Sequence, residues 1–388
     1  MPKPIVASYC TTFLKPEMQH IYRQVVGLKR YDTFVLTRER IGAEQFPLDA
    51  VELLPRARKN FLKRFYLKYV ARKAAVYYRG ELQVIIKALE RRPADLMHVY
   101  FGHTGVHLLP FIQEWSKPAV VSFHGMDIQP RPKQEGYDEQ MRTLLRTIPL
   151  VMARSKSLFS ALENWGCDPR KLRLNRTGIP LDAFPFVQRP LPADGSWFFV
   201  QACRLIAKKG LKTALRAFAR FHADNPKSKF VIAGDGPMRG EIEVLSAELS
   251  VRDAVEFRGF LDQKDLGELF ARAHIFLHPS ELTSDQNQEG IPNSMLEAMA
   301  TGLPVIATTH GGIPEAVTHE RHGLLVPERD VEALHRAMIQ LTSDQEMCYV
   351  FGQAASQMLR DEFEQGKAIE KLEAIYDEAR ELGATGKA

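Results

Sequence analysis

Two carboxylates, Glu289 and Glu297, frame the stretch of this chain that holds the most chemistry. Between them Gly290 and Pro292 punctuate a turn, and Ile291 and Asn293 lead to Ser294 and a run, 294–300, that is helix-forming and apolar on one side. Gly302 stands where a helix C′ residue belongs, and 304–308 reads as a short buried strand. A helix entered from such a loop is an anion site, because the free N–H groups around 291–295 carry the positive end of its dipole. Carboxylates bind phosphate poorly, yet they accept hydrogen bonds well from sugar and ribose hydroxyls flanking a diphosphate. The combination points to a nucleotide sugar as ligand. A blander reading stays open, since Ser294-x-x-Glu297 also fits a capping box in which Glu297 only bonds back to the helix start.

A second cluster lies upstream. An apolar run, 197–202, ends in the basic loop Cys203-Arg204-Leu205-Ile206-Ala207-Lys208-Lys209-Gly210, after which 211–221 carries apolar residues at helical spacing. Arg204 and Lys209 therefore emerge near the C-terminal end of a strand, the edge where ligands of open α/β sheets collect. Surface loops are also often basic without any ligand. Another apolar run, 230–233, enters Gly234-Asp235-Gly236-Pro237, which taken alone is a tight turn more readily than a ligand loop. In the first half, Ser122-Phe123-His124-Gly125-Met126-Asp127 follows an apolar run, so Gly125 permits a sharp turn and His124 is delivered to a strand end. A lone histidine is more often structural than catalytic.

Positioning these groups takes more than one domain. The chain has 388 residues, beyond what a single core normally supports, and its 45% hydrophobic and 26% charged residues furnish two cores without wholesale disorder. Strand-like runs at 5–9, 33–36, 96–100, 119–123 and 150–153 alternate with helical patterns, and a second series follows at 197–202, 229–233, 275–278 and 305–308. This alternation predicts an α/β protein with two doubly wound parallel sheets. A Pro- and Phe-rich stretch without helical periodicity places the linker at 185–196, between an N-terminal domain over 1–184 and a C-terminal one over 197–360. No apolar run approaches a membrane span, and the N-terminus lacks the charged and apolar regions of a signal peptide, so a cytoplasmic location is expected. Cys10, Cys167, Cys203 and Cys348 are scattered without metal-ligand spacing and read as buried thiols.

Residues 56–79 carry Arg56, Arg58, Lys59, Lys63, Arg64, Lys68, Arg72, Lys73 and Arg79 without one acid, outweighing the whole chain's net charge of +5. On a helix Phe61, Leu62, Phe65, Tyr66, Tyr69, Val70, Ala74 and Tyr77 would share one stripe, with most of the basic residues opposite. That is the pattern of a helix resting on an anionic membrane surface. An ordinary surface helix packing its apolar stripe on the core fits as well. No nucleic-acid partner is expected, because no nucleic-acid module accompanies the patch.

Glu289 and Glu297 resemble the Glu-x7-Glu signature of family 4 retaining glycosyltransferases. Within it, Glu-Gly-Ile-Pro at 289–292, Glu-Ala-Met-Ala-x-Gly-Leu-Pro-Val at 297–305 and Gly-Ile-Pro-Glu at 312–315 resemble the bacterial exopolysaccharide or colanic-acid branch. Residues 203–210 are similar to the family's Gly-Arg-Leu-x-x-x-Lys-Gly motif with Cys203 for the first Gly, 234–237 to its Gly-x-Gly-Pro turn, and 124–127 to its His-Gly-x-Asp. Phe101-Gly102 resembles an aromatic-Gly step of the branch, whereas its Glu-Thr-Phe element is replaced here by Glu17-Met18-Gln19. The resemblance implies a GT-B fold, in which two doubly wound Rossmann-like domains face each other across a cleft. The first would end near Asp182 and Phe184, and a final helix, 361–384, would cross back onto it. It further implies that Arg204 and Lys209 grip the donor diphosphate and neutralise the leaving group, with the backbone at Gly290, Ile291, Pro292, Asn293 and Ser294. Glu297 would hold the ribose and Glu289 the donor sugar. His124, beside Gly125 and Asp127, would lie against the reacting sugar with its backbone carbonyl toward the anomeric centre. Gly234, Gly236, Pro237 and Phe260 would complete the donor side, where the 255–260 backbone meets the base.

Such an enzyme would use a UDP- or GDP-sugar with no other cofactor and, lacking an Asp-x-Asp motif, no metal. Its acceptor would be a glycan or a lipid-linked oligosaccharide, met at the inner face of the cytoplasmic membrane through 56–79. Two other readings share the fold or the ligand: a nucleotide-sugar epimerase and a non-catalytic nucleotide-sugar-binding protein at the membrane.

Overall fold

The computed structural model of the chain describes residues 2–15, 18–55, 61–71, 75–128, 136–284 and 289–385. Two compact units divide it, Met1–Gly178 with Gly366–Ala388, and Ile179–Gln365.

The first unit is built on seven parallel strands in the order β5 (Val51–Leu53), β3 (Asp32–Thr37), β1 (Ile5–Tyr9), β6 (Leu96–Tyr100), β7 (Ala119–Phe123), β8 (Val151–Ala153) and β9 (Leu172–Leu174). A small pair, β2 (Thr12–Phe13) and β4 (Glu39–Arg40), accompanies it. Every residue of β6 and β7 is buried, as the near-continuous apolar runs require of parallel strands covered on both faces. The covering helices turn one face inward: Leu82, Ile85, Ala88 and Leu89 of Glu81–Arg91 recur at helical spacing and enter the core. The last helix, Gln365–Thr385, belongs to this unit from its second residue onward. Its Leu372, Ile375, Tyr376 and Ala379 pack with Val6, Leu96, Val120 and Met152 of the sheet.

The second unit holds six parallel strands in the order β12 (Val255–Gly259), β11 (Lys229–Ala233), β10 (Phe198–Ala202), β13 (Ile275–His278), β14 (Val305–Thr308) and β15 (Gly323–Val326). The strand order reverses between β10 and β13, the topological switch point at which open α/β sheets leave a crevice beyond their strand ends. Helix Leu211–Asp224 buries Leu211, Ala214, Leu215, Phe218 and Phe221 against this sheet.

Residues 185–196, expected as the linker, group with the second unit, because their backbone and side chains are bonded into it. Val187 N–H donates to the Thr301 carbonyl (3.0 Å), Arg189 donates to the carbonyls of Phe270 (3.2 Å) and Thr301 (3.0 Å), and Phe184 is in the core. A stretch without hydrophobic periodicity still joins a domain when its polar groups find partners there.

Nor do residues 56–79 form one helix. Their described parts are a helical turn Phe61–Phe65, a π-helical turn Tyr66–Val70 and a short helix Ala75–Tyr78. Arg56, Arg58, Lys59, Arg72, Lys73 and Ala74 lie outside the described residues, as does Glu17. The apolar stripe does not sink into the core: Leu62, Phe65, Tyr66, Tyr69 and Val70 are 50–78% exposed, and only further on is Val76 buried. Among the described residues no helix is long and apolar enough to cross a membrane.

Candidate functional site

Three strand ends meet at the switch point of the second unit. The loop after β10 carries Arg204, Lys208 and Lys209, the loop after β13 carries Glu289, and the exit of β14 carries His310. Gly210 lets the first loop lie against the second: at φ +61° it adopts a left-handed conformation, and a Cβ there would stand 1.7 Å from the Pro279 carbonyl oxygen.

Lys209 Nζ donates to Glu289 Oε2 at 2.5 Å, and Lys208 Nζ lies 3.7 Å from the other carboxylate oxygen. Burial alone would push the Glu289 carboxyl up, but Lys209 and Lys208 outweigh it and hold the group at about 2. Burial, with Lys209 and Arg204, pushes the Lys208 ammonium down against the pull of Glu289. The backbone of Glu289 is anchored as well. Its N–H donates to His310 Nε2 (2.9 Å), so the His310 proton sits on Nδ1 and is donated to Glu328 Oε1 (2.6 Å). Glu328 Oε2 in turn accepts from the Leu282 N–H (2.7 Å), tying the start of the same loop to its end. Beneath lies His278, the last residue of β13, fully buried with no hydrogen-bond partner at either ring nitrogen; burial, then Lys209, pushes it down to about 3.

Helix Asn293–Ala300 begins where Glu289 leaves off, with Pro292 as its extended N-cap. The capping box is therefore not formed. Ser294 already sits inside the helix, and its hydroxyl donates to the carbonyl of Ala202, the last residue of β10, at 2.5 Å. The reason is Pro292, which starts the helix ahead of Ser294. Glu297 is buried one turn in, among Met295, Leu296, Ala298 and Met299, and Gly290 and Ile291 complete the loop.

Gly234, Gly236 and Pro237 follow β11. Gly234 allows close approach of two backbones, since a Cβ there would stand 1.8 Å from the Cys203 carbonyl oxygen, and the Leu205 N–H donates to Asp235 (2.9 Å) in the same turn. The turn thus braces the Arg204 loop. Phe260, more than half exposed just past β12, stands one strand further out.

In the first unit β7 delivers His124 and Gly125 to its C-terminal end. The buried Asp127 carboxylate accepts from the N–H groups of His124 (2.8 Å), Gly125 (2.9 Å) and Gly102 (2.7 Å), so it shapes the loop with both oxygens already engaged. Phe101 enters the adjoining helix at φ +75°, costly for a non-glycine residue, and its ring centroid lies 4.5 Å from that of His124. His124 Nε2 meets Ser122 Oγ at 2.9 Å and its Nδ1 meets His20 Nε2 at 3.1 Å.

A switch-point loop pair carrying a carboxylate clasped by two lysines, a helix N-terminus beside it, and a glycine turn bracing the basic loop all fall within residues 185–358, which match the family Glycosyl transferases group 1. Residues 185–358 form a group 1 glycosyl transferase domain. The chain is 33% identical over 245 residues to the putative colanic acid biosynthesis glycosyltransferase WcaL of Salmonella typhimurium, an alignment covering 62% of this chain and 60% of that protein. It is 29% identical over 336 residues to the amylovoran biosynthesis glycosyltransferase AmsK of Erwinia amylovora, covering 84% of this chain and 80% of the relative. Among solved structures, Anabaena Alr3699/HepE in complex with UDP superposes with a TM-score of 0.77 at 16% identity, over 97% of this chain and 100% of that one. The fold is GT-B.

Within the glycosyl transferase domain the structure adds Lys208, His310 and Glu328 to the residues read from the sequence. Lys208 neighbours a motif lysine, and His310 precedes the Gly-Ile-Pro-Glu word. Nothing local marks Glu328. Among the described residues no group of three or more His, Cys, Asp or Glu side chains is placed to hold a metal ion.

Proposed function

We propose that the protein is a retaining, metal-independent glycosyltransferase that takes a sugar from a UDP- or GDP-sugar and delivers it to a glycan or lipid-linked acceptor of a cell-surface polysaccharide. The observation that carries this is the Lys208–Lys209–Glu289 cluster beside the N-terminus of helix Asn293–Ala300 in a group 1 glycosyl transferase domain. A diphosphate at that helix end meets backbone N–H groups, Lys209 and Arg204, which stabilise the charge that builds on it as the glycosidic bond breaks. Glu289 stays ionised while holding Lys209, and its remaining lone pairs accept donor-sugar hydroxyls and stabilise an oxocarbenium-like transition state. Glu297 takes the ribose. His124 lies beside the reacting sugar on the acceptor-binding unit. The printed names of relatives support the substrate class: WcaL and AmsK are colanic acid and amylovoran glycosyltransferases, and HepE binds UDP.

The exposed side chains of Leu62, Phe65, Tyr66, Tyr69 and Val70, next to Arg64 and Lys68, support docking on an anionic bilayer, the cytoplasmic leaflet where a lipid-linked acceptor is presented. The enzymatic reading is tested by incubating the full chain with UDP- and GDP-sugars and a lipid-linked acceptor, following nucleoside diphosphate release and the anomeric configuration of the product. One donor should turn over in the presence of EDTA with its configuration kept. Arg204→Ala and Lys209→Ala should each slow transfer by roughly 10²-fold or more while the fold survives. Wild-type rates in both variants, or donor turnover with no acceptor product, would overturn the proposal.

A further inference from the structure

His124 is one member of a line of hydrogen-bonded side chains running through the first unit. On one side its Nε2 meets Ser122 Oγ (2.9 Å), Ser122 Oγ meets His98 Nε2 (2.8 Å), and His98 Nδ1 meets the hydroxyl of Tyr376 on the last helix (2.7 Å). On the other side its Nδ1 meets His20 Nε2 (3.1 Å), which faces Arg154 Nη1 at 3.5 Å. His20, His98, Ser122 and Tyr376 are all buried.

The contact between Arg154 and His20 sets the direction of the protons along this line. A guanidinium has donors only, so His20 Nε2, which faces one, presents its lone pair. His124 Nδ1 must then carry a proton and donate it. A neutral imidazole has a single N–H, so His124 Nε2 accepts, and the hydrogen it accepts is that of Ser122. Ser122 Oγ, donating forward, accepts from His98 Nε2–H. That leaves His98 Nδ1 bare, and the Tyr376 phenol donates to it. The alternative, a charged ring, is opposed on every side. Burial first and Arg154 second hold His124 and His20 well below the ordinary histidine value, and burial takes His98 to about 3. Besides His20, the titratable groups acting on His124 are Arg154, His98 and His103, and Asp127 under its own loop has both oxygens on backbone N–H groups.

We propose that Ser122 and His98, backed by Tyr376, are positioning residues of the transfer reaction, holding His124 as the neutral Nδ1–H tautomer with both ring nitrogens occupied. This rests on the reading that His124 lies beside the reacting sugar. There His124 acts through its uncharged ring and its backbone carbonyl and moves no proton during transfer. The benefit is electrostatic: an imidazolium beside a sugar that is developing positive charge would raise the barrier; burial and Arg154 keep that cation from forming, and the line of donors fixes which nitrogen carries the single proton.

The test uses the full chain labelled with 15N-histidine. Spectra of wild type should show His124 with a protonated Nδ1 and a bare Nε2, unchanged from about pH 8 to 5.5. Ser122→Ala removes the donor to Nε2. The ring, still kept neutral by burial and Arg154, should then populate the Nε2–H tautomer, and kcat should fall on the order of tenfold with KM unchanged. Ser122→Thr, which keeps the hydroxyl, should restore both. Tyr376→Phe cuts the line at its far end and should release the His98 tautomer while His124 stays pinned from the Arg154 side. An Nε2–H or imidazolium form of His124 in wild type would overturn the proposal, as would a Ser122→Ala enzyme whose kcat matches wild type at every pH. A His124→Ala enzyme with full transfer rate would instead overturn the reading beneath it, since the spectra are recorded without substrate and judge the proton order independently.

Discussion

A carboxyl as enclosed as Glu289 would ordinarily give up its charge, and two ammonium groups prevent it. Its folded pKa of about 2 lies below the ordinary 4.5, so the stabilisation from the cluster is complete above pH 4.5 and is lost as pH falls through about 2. The stability gap between wild type and Glu289→Gln in chemical denaturation should accordingly be level from neutral pH to about 4.5 and close toward 2. A gap that closes near pH 6 would assign the charge to another group. In kinetics the same substitution should act mainly on kcat, because Glu289 stabilises charge that appears only in the transition state. Glu297→Gln should act mainly on nucleotide affinity, because a ribose contact is made alike in the ground state and the transition state. Identical profiles for the two variants would remove the distinction between sugar and ribose contacts.

At the scale of elements, segment 61–71 leaves Leu62, Phe65, Tyr66, Tyr69 and Val70 exposed. A π-helical turn interrupts it, which displaces side chains from the register a continuous helix would give them, and five large apolar residues face outward. The rings of Phe65 and Tyr69 lie tilted against each other, centroids 5.0 Å apart, with Lys68 4.7 Å over the Tyr69 ring, so aromatic and basic groups form one surface. On vesicles, binding of the full chain should rise with anionic lipid and weaken with salt. Arg64→Glu with Lys68→Glu should lower partitioning roughly 30-fold or more, from about 1 kcal/mol per basic residue, and spare transfer to a soluble acceptor analogue. Equal flotation of wild type and variant would reduce this surface to a solvated face.

Across the whole molecule, both units keep histidines neutral by burial: His20, His98 and His124 in the first, His278 in the second. Each has a folded pKa below its unfolded 6.5, so its contribution is intact above pH 6.5 and is lost as pH falls below it. Every such proton costs about 1.4 kcal/mol per pH unit, and the denaturation midpoint should drop steeply between roughly pH 6.5 and 5, above the range in which ordinary carboxylates titrate. A flat midpoint over that range would mean that these rings are not held neutral. The parallel sheets, the helix after Pro292, the motif cations and the pair Glu289 and Glu297 were legible in the sequence. Apolar runs, Gly and Pro punctuation and short motifs are local signals, and parallel strands buried on both faces leave little freedom to read them otherwise. What the chain order could not reveal is which polar groups meet. Ser294 bonds to Ala202 and so caps nothing, Glu328 orients His310 beneath Glu289, residues 185–196 are bonded into the second unit, and Tyr376 reaches a histidine 278 positions away. Such partnerships carry no periodicity, and they exist only once the sheets have brought distant strand ends together.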